Sequence, residues 1–244
     1  LGLFAFYMVP RRTVPILMYH SISADQSSSL NVTPENFKRQ MAFLDDNGYE
    51  VITLDELVDS ISKGRNYIPR TVVITFDDGF QDNYLYAYPV LAEYAMPATI
   101  FLITGYVGKE PDYMTWDQVR LMMRGGIGFG GHTRTNAYLP SVNDPDSLEE
   151  ETAGCRDDIQ RNTGKAPAFF CYPTGGFNES VKRAVKEAGY KGACTTNRGD
   201  DRLNRDVYEL KRVKVTNYDT NKPLHFRAKL SGFYNAFRST KSGD

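Results

Sequence analysis

The chain has 244 residues, 41% of them hydrophobic and 24% charged, with a formal net charge of −1. That length is large for one average domain but within the span of a single α/β barrel, and the near-neutral charge gives no electrostatic pull toward nucleic acid or an anionic lipid surface. Cys155, Cys171 and Cys194 are widely spaced and form no CxxC pair, so neither a disulfide framework nor a thiolate zinc site is expected and they read as core thiols.

The chain opens on an apolar run from Leu1 to Pro10, followed by Arg11-Arg12, that is too short to span a bilayer. Two readings stand for residues 1–14: an N-terminal strand or loop, or the cut end of a signal or anchor segment, with any membrane anchoring through a segment before residue 1. From Pro15 the pattern is regular. Seven short apolar or β-branched runs, at 15–19, 71–76, 98–104, 127–131, 168–172, 192–196 and 210–215, read as buried strands. Helix-like stretches lie between them: Thr33-Pro34 opens one that Gly48 closes, and Thr115 with Gln118 and Ser147 with Glu150 both fit a capping box. Such alternation predicts an α/β fold, a distorted (β/α) barrel of about seven parallel strands in preference to an open sheet. Residues 24–30 and 141–146 are turn-rich loops, and no linker or repeat divides residues 15–244, which are expected to form one domain.

In a parallel barrel the chemistry collects in the loops after the C-terminal strand ends. Four runs carry polar groups there: His20 after Tyr19, Asp77-Asp78-Gly79 after Phe76, His132-Thr-Arg-Thr-Asn136 after Gly131, and Pro173-Thr174-Gly175 after Tyr172. All should face one cleft. Adjacent carboxylates on an extended strand point to opposite sides, so Asp77 and Asp78 can divide the work, one gripping a metal and the other handling a proton. Because the chain has only His20, His132 and His225, a three-histidine metal site is not expected; a carboxylate, the His132 imidazole and one further oxygen form the alternative. His225 lies in a helix-like C-terminal stretch and reads as structural. Of the aromatic residues Tyr19, Trp116, Tyr138, Tyr172, Phe177 and Tyr218, only Tyr172 and Phe177 bracket one of these segments. A phosphatase with an aspartyl nucleophile fits poorly, since the aspartates are adjacent instead of spaced as Asp-x-Asp.

The segments Thr75-Phe-Asp-Asp-Gly79, Gly131-His-Thr-Arg-Thr-Asn136 and Phe170-Cys-Tyr-Pro-Thr-Gly175 resemble three motifs of the polysaccharide deacetylases, the NodB-homology carbohydrate esterases. Met18-Tyr-His-Ser-Ile22 and the stretch from Gly48 to Glu56 resemble the subgroup that removes acetyl groups from poly-β-1,6-N-acetylglucosamine, and the resemblance runs from about Pro15 to Val215. It implies metal-dependent hydrolysis of N-acetyl groups on a β-linked N-acetylglucosamine polymer, by a protein that is exported or held in a bacterial-type cell envelope. It also implies that Asp77 is the general base, that Asp78, His132 and position 136 hold a divalent metal of the zinc type, and that the Thr174 backbone N–H supports the oxyanion. Tyr172, Pro173, Thr174 and Gly175 would then be the substrate-binding segment.

The sequence departs from that pattern in three places. Asn136 stands where the family has a histidine, and a neutral amide oxygen is a weaker zinc ligand. Thr174 replaces an aromatic residue, and residues 210–217 lack the late histidine that serves as general acid. His20, at the end of the first strand, is placed either to substitute for that acid or to hydrogen-bond a neighbouring loop. A second reading follows, in which the chain is a catalytically impaired relative that acts as a glycan-binding or scaffold protein.

Overall fold

The computed structural model describes residues 13–25, 28–65 and 69–237; most of the 1–14 segment, with its signal-or-anchor question, lies outside the described residues. Six of the seven predicted runs hold the strands β1 (Ile16–Tyr19), β3 (Thr71–Phe76), β4 (Thr99–Leu102), β5 (Gly128–Gly131), β6 (Phe169–Cys171) and β7 (Gly192–Thr195). The seventh is split into β8 (Leu210–Lys211) and β9 (Val213–Lys214), and a further strand, β2 (Glu50–Val51), is too short to leave a period in the sequence.

All pairings between these strands are parallel, in the order β8-β7-β6-β5-β4-β3-β1-β9, with β2 beside β3 off the ring. Since β8 and β9 belong to one segment, the path returns on itself. Leu210 lies opposite Cys194 on β7, and Val213 lies opposite Leu17 on β1. One split strand therefore closes the barrel, and Arg212 is the residue at the split.

Strand pleating sorts the core into two layers. Ile16, Val73, Phe101, Phe169, Cys171, Cys194 and Leu210 pack into a central cluster, while the alternate residues Leu17, Ile74, Ile100 and Leu102 join an outer cluster with the helices. Leu54, Leu57 and Val58 of one helix belong to the central cluster and plug the barrel at the end opposite the strand C-termini. That leaves the C-terminal end free for polar side chains.

The helix ends follow their caps. Pro34–Asp46 starts on Thr33, whose side chain accepts from the Asn36 N–H, and the chain leaves it through Gly48 at φ 64°. Thr115 and Gln118 form the predicted capping box of Trp116–Arg124. The box expected at Ser147 and Glu150 does not form: that helix, Pro145–Glu149, begins three residues earlier on Asp144, which accepts from the Ser147 N–H. An Asp cap followed by Pro at the first helical position is the stronger start signal, so Ser147 is drawn inside the helix. Two π-helical turns, Asn83–Ala87 and Glu150–Gly154, interrupt the helical layer.

At Gly130 an added Cβ would lie 2.5 Å from the Phe101 ring and 2.7 Å from the Phe169 carbonyl oxygen. Gly130→Ala is therefore expected to destabilise the barrel by about 1–3 kcal/mol, the usual cost of overpacking, read as a lower urea midpoint at unchanged slope.

Candidate active site

The pleat of β3 decides the two aspartates differently. Val73, Thr75 and Asp77 form the inward row, so Asp77 is buried at the mouth of the barrel, with its backbone N–H donating to the Tyr19 carbonyl. Asp78 would point outward, but a left-handed backbone at φ 72° turns it out of the pleat and leaves its side chain partly exposed. A non-glycine residue there costs about 1–3 kcal/mol and marks a strand end shaped for function.

Arg212 reaches Asp77 from the split between β8 and β9. Its Nη1 donates to Asp77 Oδ1 at 2.6 Å and its Nη2 to Oδ2 at 2.7 Å, a two-pronged pair. The guanidinium also donates to the Thr75 hydroxyl, the Thr195 carbonyl and Cys171 Sγ. Burial alone would raise the Asp77 pKa, but the charge and hydrogen bonds of Arg212 outweigh it and hold the carboxyl far below its usual range. Asp77 is thus a permanent carboxylate in a fixed orientation.

His132 follows β5 and is buried. Its Nδ1 donates to the Cys171 carbonyl at 2.7 Å, and Nε2 faces Asp78 Oδ1, 3.5 Å away. Burial lowers the His132 pKa, but Cys171 and the Asp78 and Asp77 carboxylates outweigh it and raise it well above the usual value, so a metal held between Nε2 and Asp78 would take the place of a proton. Two donors about 2.1 Å from a tetrahedral ion stand roughly 3.4 Å apart, so Asp78 and His132 fit as two ligands of a divalent metal. Among the described residues, Asp77, His132 and Cys171 also bring ligand atoms within 4.8 Å of one another. Arg212 already engages both Asp77 and Cys171, and a second cation there would face a buried guanidinium, which favours the Asp78–His132 side of the cluster.

His20 directly follows β1, with Nε2 at 3.7 Å from Asp77 Oδ2, and its Nδ1 is buried without a hydrogen-bond partner among the described residues. Desolvation lowers its pKa despite the neighbouring aspartates, so the imidazole is neutral at neutral pH. Beside Asp78 stand three half-buried rings, Phe80, Tyr106 and Tyr113, with centroid separations of 5.1 Å and 5.0 Å from Tyr113. Burial and the Asp78 charge push the Tyr113 hydroxyl up to about 12.

The sequence pattern of the family described as polysaccharide deacetylase matches residues 64–193, more than half of the chain. The chain belongs to the polysaccharide deacetylase family. YxkH of Bacillus subtilis, which carries the name of the same family, is 35% identical over 203 residues, 83% of this chain and 71% of its own length. The poly-β-1,6-N-acetyl-D-glucosamine N-deacetylase of Staphylococcus aureus is 26% identical over 211 residues, 82% of this chain and 72% of its own. Among solved structures, the deacetylase PplD of Streptococcus pyogenes, in complex with acetate, superposes with a TM-score of 0.80 at 27% identity, covering 89% of this chain and 98% of that one.

Within the deacetylase barrel, the strand ends bring His20, Asp77, Asp78 and His132 together. Thr174 and Gly175 follow β6 at the same end, with Thr174 exposed at φ 54° and its N–H used by no hydrogen bond among the described residues. One expectation, the substrate-facing role of Tyr172 and Pro173, is corrected. Tyr172 is fully buried, stacked on Phe177 with its hydroxyl donating to the Tyr208 carbonyl, because the pleat that sends Cys171 inward sends Tyr172 into the helical layer; Pro173 is buried beside it. Neither side chain can meet a substrate. Asn136 is exposed and left-handed at φ 63°, and its side chain makes no hydrogen bond among the described residues. His225 is structural as read, bonded to the buried Asp219 at 2.7 Å.

Sequence reasoning missed Arg212 and the site role of Cys171. The only signal for Arg212 was a cation within a segment read as a buried strand, where an ion needs a buried partner, and Lys211 and Lys214 in the same segment blurred it. Since the folded pKa of Asp77 lies below its unfolded value, the stabilisation by the pair is complete above the ordinary carboxylate range and is lost as pH falls through the folded pKa. Asp77→Asn, which leaves Arg212 buried and unpaired, is expected to lose about 3–5 kcal/mol at neutral pH, with the gap to wild type narrowing below roughly pH 4; urea titrations across pH check both.

Proposed function

We propose that the chain is a divalent-metal-dependent hydrolase that removes N-acetyl groups from a β-linked N-acetylglucosamine polymer, exported or held in the cell envelope. The observation that carries this reading is the placement of Asp78 Oδ1 and His132 Nε2 3.5 Å apart, beside a carboxylate and an imidazole that lie outside that pair. Asp78 and His132 would hold the metal, with the Asn136 amide oxygen as the third protein donor. When bound, a zinc-like ion supplies Lewis acidity toward the acetyl carbonyl and makes water a better nucleophile at neutral pH.

The other residues divide the proton work. Asp77, held ionised by Arg212, orients and deprotonates the attacking water; its low pKa makes it a modest base, so its value lies in fixed placement. His20 sits 3.7 Å from Asp77, close enough to receive that proton and deliver it to the departing amine. This assigns to His20 the acid role that residues 210–217 leave empty. The exposed Thr174 N–H is the candidate oxyanion donor. Phe80, Tyr106 and Tyr113 give a partly apolar wall next to Asp78, suited to a pyranose face. The named substrate of the Staphylococcus aureus relative supports a β-1,6-linked polymer.

The exposure of Asn136 and its weak donor atom favour the second reading, a glycan-binding relative without efficient metal binding. Calorimetry with Zn²⁺ on metal-stripped protein, with acetate release from N-acetylglucosamine oligomers measured on the same samples, separates the two. Micromolar or tighter binding that Asp78→Ala abolishes and Asn136→His strengthens, together with acetate release, is the expected result. No binding until histidine stands at 136, and no acetate from the wild type, would establish the second reading. For the acid, His20→Gln is expected to lower kcat by about 10²-fold or more while leaving Zn²⁺ affinity within a few-fold.

A further inference from the structure

The loop that carries His132 and Asn136 is under backbone tension, with Thr133 at φ 64° and Asn136 at φ 63°, and neither residue is glycine. Something must hold it. On one side the segment after β4 does so: the Thr104 N–H donates to the Thr133 carbonyl, the Gly105 N–H to the Arg134 carbonyl and the Tyr106 hydroxyl to the Thr135 carbonyl. On the other side stands a single carboxylate. Glu151 Oε2 accepts from the backbone N–H groups of Arg134 at 2.8 Å and Thr135 at 3.1 Å, and Oε1 accepts from the Thr135 hydroxyl at 2.5 Å. Its neighbours assist, since the Arg134 side chain pairs with Glu150 and with Asp158.

Glu151 lies in the π-helical turn Glu150–Gly154. Such a turn inserts one residue into the helical register and is kept where a helix must aim a side chain off its normal face. On either side of the turn the helix buries Leu148 and then Cys155, Asp158 and Ile159. The register shift lets the helix pack on both sides while Glu151 turns to the loop. Resting on the metal-dependent reading above, we propose that Glu151 is a positioning residue: it locks the 133–136 loop so that Asn136 is presented on the same side as His132, and the weak amide ligand is offset by a pre-set loop.

The test uses the full chain, with Co²⁺ as the metal probe and amide hydrogen exchange as a readout that needs no metal. In Glu151→Ala the Arg134 and Thr135 amides should exchange at least about tenfold faster, Co²⁺ affinity should fall about 10- to 100-fold as for other residues that orient ligands, and the visible absorption of the bound Co²⁺ should change. Glu151→Gln, which keeps an oxygen for both N–H groups, should restore most of the protection and affinity. Should Glu151→Ala fail to fold, Thr135→Val removes only the hydroxyl bond and is expected to show a smaller shift in the same direction. Unchanged exchange, affinity and spectrum in a folded Glu151→Ala would overturn the proposal. Failure of the wild type itself to bind Co²⁺ would instead sink the metal-dependent reading and with it the ligand-presenting role of Glu151, leaving at most a loop clamp visible in the exchange.

Discussion

The buried pair of Asp77 and Arg212 is the constraint on which the rest of the molecule turns. Taking a carboxylate and a guanidinium out of water costs several kcal/mol per ion, and attraction offsets this only when geometry is good and the remaining donors are satisfied. Here both prongs engage, and Thr75, the Thr195 carbonyl and Cys171 use the rest of the guanidinium. Because Arg212 is the residue at which the closing strand passes from β7 to β1, the same pair ties the closure of the barrel to the orientation of the carboxylate at its mouth. Stability and chemistry meet in one contact, and neither partner can be replaced alone.

A second theme is how polar side chains are brought to the mouth of an apolar barrel. Period-two pleating allows only alternate residues to face inward, so Asp77 arrives by continuing the row of Val73 and Thr75. The others need the backbone to break step. Asp78, Thr133 and Thr174 are all non-glycine residues with positive φ, and each lies in the turn directly after β3, β5 or β6. Hydrogen bonds between neighbouring loops hold this strain, as where the Ile103 N–H donates to the Asp78 carbonyl and the Thr104 N–H to the Thr133 carbonyl. The π-helical turns serve the same end: Asn83, in the first, donates to the His20 carbonyl, and Glu151, in the second, grips the His132 loop.

The two ends of the barrel have separate duties. A cavity of about 270 Å³ lies at the N-terminal ends of β4, β5 and β6, lined by residues such as Ala98, Gly128 and Phe169, and a larger one of about 510 Å³ lies among the outer helices near Leu148 and Ala184. Neither contains any of His20, Asp77, Asp78 and His132. Solvent reaches these groups instead at the strand C-termini, where Asp78 and His20 are partly exposed while Asp77 and His132 are buried.

The sequence by itself determined the parallel barrel, six of its strands and the strand-end positions of His20, Asp77, Asp78 and His132, because apolar runs and the residues directly after them are local features; it showed neither β2 nor the split of the last run into β8 and β9. It also located the departures at Asn136 and Thr174. It misjudged Tyr172, whose place beside a motif concealed that pleating aims it into the helical layer, and it placed a capping box at Ser147 where Asp144-Pro145 is the better start. Only the tertiary structure decided the partner of Asp77, since Arg212 lies 135 residues away along the chain and the two meet only when the barrel closes. The same holds for the hold of Cys171 on His132 and of Glu151 on the loop bearing Asn136. Contacts between distant segments leave no period or spacing in a sequence, and they arise from the closed ring that brings all the strand ends to one place.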